Sequence, residues 1–414
     1  MKRRGIISSA FSAVSAMIGS QLNSFAFAEE DTAQRDMLLV VFLRGGCDGL
    51  SLVAPAADKD YIAARGGNLA VTTSGNNKGW ELNNTYDKVP FWLHPKAAGF
   101  YDLYQNKDLA IVHACGLTHG TRSHFDAVAF MERGTPEDKY TKTGWLTRHL
   151  ESIHATGITP AFSIGRSTPV SLLGANSAIS LTELNDFNVV SDKKLEPLLR
   201  RLYEGDSFLH QAGKNTLRAI DFIKSKARLE PNGDFSPYQT SIVYPTGWPV
   251  DNFAKSLKTV AQLVKMDVGL QVATIDFDGW DHHEGQNYIF PLKAEALSQG
   301  LTAFYNDMHA YHKRLTIVVM SEFGRRLKSN ESWGTDHGHG GAMMVLGGNI
   351  LGGQMYGKWP GLATEQLDNR VDLSVTTDYR SVLSEILRNR LANPTTDQVF
   401  PGLQEGKALG FCKV

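Results

Sequence analysis

The chain has 414 residues, of which 42% are apolar and 21% charged, with a formal net charge of -1. That length and apolar fraction support one large α/β domain or two medium ones, and they exclude a wholly disordered chain. The balance of 42 Lys and Arg against 43 Asp and Glu lacks the basic excess of a nucleic-acid binder, so no nucleic-acid partner is expected, and it offers no strong field for steering anions.

Lys2, Arg3 and Arg4 open the chain, followed by a mildly apolar stretch rich in Ser, Ala and Gly that ends at Ala26-Phe27-Ala28. A charged start, an apolar middle and a small-x-small exit form a cleavable export signal, with cleavage expected after Ala28. The paired arginines and the weak hydrophobicity point to the twin-arginine export machinery, a route that carries folded proteins. The expectation is a signal over 1–28, a single domain over 29–414, and a periplasmic or secreted location. No later segment has the roughly 18 uninterrupted apolar residues of a membrane span.

The run Met37 to Leu43 is continuously apolar and stops at Arg44-Gly45-Gly46-Cys47-Asp48-Gly49. It reads as a strand buried on both faces, with Asp48 at its C-terminal edge. Residues 57–92 are rich in Gly, Asn, Asp and Thr and read as a long surface excursion. A second strand is expected over 109–113, and helix over 193–228 with breaks near Gly205 and Gly213. Residues 229–249 hold four prolines and read as a loop. A helix follows with Phe253, Leu257, Val260, Ala261 and Val264 on one face. Further strands are expected over 270–275, 315–320 and 342–346. Between the first two lies a helix around Leu297, Leu301, Phe304 and Met308. A last helix carries Val382, Leu383, Ile386 and Leu387. Strands alternating with helices predict an α/β fold with a mostly parallel central sheet flanked by helices.

Two short segments after predicted strands hold most of the chemistry. One runs from Asp276 through Asp278, Asp281, His282 and His283 to Glu284, the other from Gly334 through Asp336, His337 and His339 to Gly341. Glu322 and Arg325 stand past a third strand. Carboxylates and imidazoles together suit divalent zinc, manganese or similar ions. Asp281 and His283 lie two apart and share a face on extended backbone, whereas the adjacent His282 points away. Thr121-Arg122-Ser123-His124-Phe125-Asp126 opens a predicted helix. Ser123 there is either a helix cap or a group at an anion-welcoming N-terminus, with Arg122 beside it. Cys47, Cys115 and Cys412 make an odd count, so at least one thiol is free. A Cys47–Cys115 bridge and two buried thiols are both compatible with the spacing.

These motifs resemble the exported bacterial family called domain of unknown function 1501, related to the alkaline phosphatase and sulfatase superfamily. The resemblance rests on residues 43–50, His94-Pro95, residues 121–127, Glu132-Arg133-Gly134, residues 279–283, 321–325 and 334–338. It implies an alkaline-phosphatase-like α/β fold and a divalent metal ion (zinc, manganese or calcium) as cofactor. It implies metal ligation by Asp48, Asp281, His283, Glu322, Asp336 and His337. Ser123 would be the nucleophile, with Arg122 and His124 holding the anion. The implied activity is hydrolysis of a phosphate or sulfate ester, on a small molecule or a polymer. The sulfatase maturation pattern Cys-x-Pro-x-Arg and the alkaline phosphatase Asp-Ser-Ala triplet are both absent. This leaves a non-catalytic, metal-containing envelope protein for binding or assembly as the alternative.

Overall fold

The computed structural model describes residues 35–413 except 87–88, 156–158, 176, 188–195 and 405; the expected export signal at 1–28 lies outside them. The strands of the main sheet are β1 (Met37–Leu43), β2 (Leu109–Gly116), β3 (Ala161–Ile164), β4 (Ala178–Leu181), β5 (Val272–Phe277), β6 (Leu315–Ser321), β7 (Gly341–Leu346), β8 (Gln354–Tyr356) and β9 (Thr377–Asp378). The spatial order is β8-β2-β7-β6-β1-β5-β3-β4, with β9 also paired to β2. All pairings are parallel except those of β7, which runs antiparallel to both β2 and β6.

Every residue of β1 is buried, and its side chains divide by pleat. Met37, Leu39, Val41 and Leu43 join one core; Leu38, Val40 and Phe42 join another. The principal helices are α1 (Lys59–Leu69), α2 (Ala98–Gln105), α3 (His124–Arg133), α4 (Trp145–Ser152), α5 (Phe208–Lys226), α6 (Asp251–Lys265), α7 (Gln286–Asp307) and α8 (Tyr379–Arg390). The first core is capped by Phe100 of α2, Leu257 of α6 and Leu301 of α7. The second is capped by Phe130 of α3, Trp145 of α4 and Leu383 of α8. The result is a three-layer α/β sandwich with a mostly parallel sheet. No helix among the described residues is long and apolar enough to cross a membrane.

Several elements differ from the sequence reading. Residues 57–92 contain α1 and parts of a small three-stranded sheet, Trp80–Glu81 with Trp92–Leu93 and Val53–Ala54. Tyr61 and Arg65 of that segment are buried. Its glycine and asparagine content hides a short helix whose buried side is largely one aromatic and one cation. Residues 193–195 lie outside the described residues, and the rest of the predicted helix is split into Glu196–Leu202 and α5. Gly213 does not break α5. A Cβ there would stand 2.2 Å from the Tyr203 ring, so the glycine admits a close ring contact. The short strands β3, β4, β8 and β9 carry too little periodicity to be read ahead of the fold.

The topology gathers five segments at one sheet edge. The parallel strands β1, β2, β5 and β6 all end there, and the reversed β7 begins there. Residues 44–48, 117–124, 278–283, 322–325 and 336–340 are thereby brought together, at the edge where open α/β sheets place their chemistry.

Candidate metal centre

At this edge three imidazoles and one carboxylate converge. His337 Nε2 lies 3.1 Å from His124 Nε2 and 2.9 Å from His283 Nε2. Asp281 Oδ1 is 3.1 Å from both His337 Nε2 and His283 Nε2, and Asp281 Oδ2 is 3.3 Å from His124 Nε2. Ligand atoms around a four-coordinate ion with bonds of about 2.0–2.1 Å sit about 3.3 Å from one another. His124, Asp281 and His337 therefore have the mutual spacing of ligands to a single divalent ion, and His283 adjoins them through His337 and Asp281.

The opposite ring nitrogens are all engaged by oxygen. His124 Nδ1 is 2.8 Å from Glu322 Oε1, His337 Nδ1 is 2.7 Å from the Arg122 carbonyl oxygen, and His283 Nδ1 is 3.3 Å from Asp336 Oδ1. An Nδ1–H donating to oxygen leaves the Nε2 lone pair free and fixes the ring plane, which is how metal-ligating histidines are held in place. Exposures of 29% for His124, 42% for Asp281 and 47% for His283 leave the cluster open on one side. Phe323 closes another side, its ring centroid 4.8 Å from His124 and 4.9 Å from His337.

The Asp281 and Glu322 carboxylates are both held in their charged forms. Burial works against ionisation of Asp281, but the Arg325 guanidinium, 2.7 Å away, and His337 hold its carboxyl below the usual range. Burial likewise opposes ionisation of Glu322, which is offset by His124 and by the backbone N–H groups of Gly45 and Gly46. The hydrogen bond to Glu322 raises the pKa of His124 against the effect of burial, whereas burial lowers that of His337.

Two glycines allow these loops to meet. Gly45 has φ +119°, and a Cβ there would lie 2.5 Å from the Asp281 nitrogen. A Cβ on Gly334 would lie 2.3 Å from the His283 carbonyl carbon. Larger residues at either point would push apart the segments that carry the ligands.

Several residues singled out from the sequence have other partners. Asp48 is buried outside the cluster. It accepts from Arg65 (Nη2 3.0 Å), Gln286 Nε2 (2.6 Å) and Ser51 Oγ (2.7 Å), and it caps the short helix Gly49–Leu52. Those donors use its oxygens, which departs from the expected ligand role. Glu322 and Asp336 sit behind His124 and His283 and reach the cluster only through those rings. The Arg122 guanidinium is paired with the buried Asp372 carboxylate, with Nε at 2.9 Å. Ser123 is exposed and its Oγ accepts the Asp126 amide, capping α3. His124, expected to grip an anion, instead places Nε2 in the cluster. His282 is buried against Phe290 and turns away. Arg325 was noted only as part of its motif, and Arg65 was missed; nothing in the local sequence pairs them with Asp281 and Asp48. Cys47, Cys115 and Cys412 are free, buried thiols.

Residues 250–391 match the profile of the family described as "Protein of unknown function (DUF1501)". That segment contains Asp281, His283, Glu322, Asp336 and His337. No curated protein matches by sequence. Among solved structures, the C-terminal periplasmic domain of EcEptC from Escherichia coli in complex with Zn is 8% identical, at a TM-score of 0.35, with 79% of this chain and 77% of that chain covered. Ps i-CgsB in complex with k-i-k-neocarrahexaose is 10% identical at a TM-score of 0.39, covering 89% and 74% of the two chains. The PsFucS1 sulfatase from Pseudoalteromonas sp. is 11% identical at a TM-score of 0.33, covering 100% and 78%.

Proposed function

We propose that the chain is a periplasmic, divalent-metal-dependent hydrolase of phosphate or sulfate esters. The observation that supports it most is the approach of His124 Nε2, His283 Nε2 and the Asp281 carboxylate to His337 Nε2 at 2.9–3.1 Å, with every Nδ1 tied to oxygen. His124, His283, His337 and Asp281 would hold one ion. A bound divalent ion supplies positive charge to ester oxygens and lowers the pKa of an attacking hydroxyl. Glu322, Asp336 and the Arg122 carbonyl hold the three rings in their ligating orientation. Ser123 precedes His124, is exposed, and accepts rather than donates in its cap, so its hydroxyl proton is available to be given up. It is the proposed nucleophile. Export rests on the 1–28 segment.

The test combines metal content, turnover and location. The mature protein, purified without chelator, is expected to carry one equivalent of zinc, manganese or calcium, with the metal lost in Asp281→Ala and His337→Ala. Fractionation of the expressing cells should place it outside the cytoplasm. Ser123→Ala should keep the metal and lose turnover of phosphate or sulfate monoesters. A folded protein indifferent to added metal would end this reading and favour a binding protein of the cell envelope.

A further inference from the structure

Beside the cluster lies a cavity of about 260 Å³ whose wall includes Gly66, Gly67, Ser329, Asn330, Glu331 and Trp333. Its wall is shared between α1 and the loop that leads to Asp336 and His337. Trp333 stands three residues before Asp336, and Asn330 Nδ2 donates to the His283 carbonyl oxygen at 2.8 Å. Trp333 is 54% exposed, yet it is held at φ +62°, a left-handed conformation that bulky residues avoid. The loop enforces it. The Gln286 amide donates to the Trp333 carbonyl at 2.9 Å, and the amides of Ser332 and Gly334 each donate to Asn330 Oδ1 at 3.0 Å. A strained backbone that fixes an exposed indole over a cavity signals a function for the ring.

The lining selects the ligand. An indole face packs against the C–H face of a ring, while the Glu331 carboxylate and Ser329 Oγ, which donates its own proton to the Ala64 carbonyl oxygen, can accept from hydroxyls. Arg65 also lines the cavity, but its guanidinium is buried and paired with Asp48, so the cation in the wall is already neutralised. A Cβ on either Gly66 or Gly67 would meet nothing within 4 Å, so these glycines leave the wall open. We infer that this cavity is a subsite for an uncharged sugar ring, which places the sugar of a saccharide ester beside the cluster of His124, His283, His337 and Asp281. The ester half of that statement rests on the hydrolase reading; the sugar half does not.

The experiment is saturation-transfer NMR on the full mature protein with neutral trisaccharides of glucose, galactose, mannose, fucose and N-acetylglucosamine, before and after chelator treatment. At least one sugar should receive saturation, metal or not. Trp333→Phe should retain the effect, and Trp333→Ala should lose most of it. Gly67→Phe, at a backbone position outside the left-handed region, should block the cavity without touching a proposed ligand. Transfer with no ester turnover would sink the hydrolase reading and leave the subsite standing. Absence of transfer from every sugar to well-folded wild-type protein, or transfer unchanged in both Trp333→Ala and Gly67→Phe, would overturn the subsite.

Discussion

At the residue scale, the histidines divide by what each ring nitrogen meets. His124 is the instructive one, because its Nδ1 is bound to the buried carboxylate of Glu322. Glu322→Gln should weaken zinc binding by about 10–100-fold, the usual effect of losing an orienting carboxylate, with the fold unchanged. A competition titration against a chromogenic chelator measures it, and an unaltered affinity would remove Glu322 from the centre. Because the His124 pKa is raised, protons compete with metal earlier in an acid titration than at an ordinary imidazole. Affinity should be full at alkaline pH and fall as pH drops through the raised value, by about tenfold per pH unit for each proton displaced. Asp48 and Arg65 make the contrasting case, an ion pair with both side chains almost fully buried. Arg65→Met would strand a buried carboxylate and should cost about 3–5 kcal/mol of stability, read from urea unfolding.

At the scale of elements, the centre depends on loops that pass within contact distance of one another. Gly45→Ala would force a side chain into the Asp281 backbone from a φ of +119°. We expect loss of bound metal with most of the fold preserved, checked by elemental analysis beside circular dichroism. Retention of a full equivalent would show that the 44–48 loop has slack. Long elements were legible in the sequence: β1, β5, β6, β7, α6 and α8 all carry sustained apolar runs or helical periodicity. The α1 segment was not, since its buried side is largely Tyr61 and Arg65. Gly213 was misread as a break because a glycine that admits a neighbouring ring and one that ends a helix look alike in sequence.

At the scale of the whole molecule, four histidines away from solvent oppose acid. His94, His113, His149 and His282 are at most 6% exposed, and burial depresses each pKa to about 4. The unfolded chain binds protons near pH 6.5 and the folded chain does not, so stability is full above that pH. Between about pH 6.5 and 4 each should remove up to about 1.4 kcal/mol per pH unit. Urea midpoints measured across that range should fall steeply on acidification, and a flat profile would show that these rings are protonated in the folded state.

What the amino-acid sequence determined by itself is the α/β class, the main strands and the identity of the acids and histidines at their ends, because hydrophobic periodicity and strand-end punctuation are local properties. It also pointed to Asp281 and His283 as a pair on one face. Only the tertiary structure decided which of those groups meet. The reversal of β7 brings His337 to the edge where β1, β2, β5 and β6 end, and the start of α3, capped by Ser123, delivers His124 Nε2 to the cluster. Arg65 reaches Asp48 from 17 residues away and takes its carboxylate out of play. The contacts of His124 with His337, Asp48 with Gln286 and Arg122 with Asp372 span 213, 238 and 250 positions, and no local pattern encodes them; they follow from strand order, loop packing and the requirement that a buried charge find its partner.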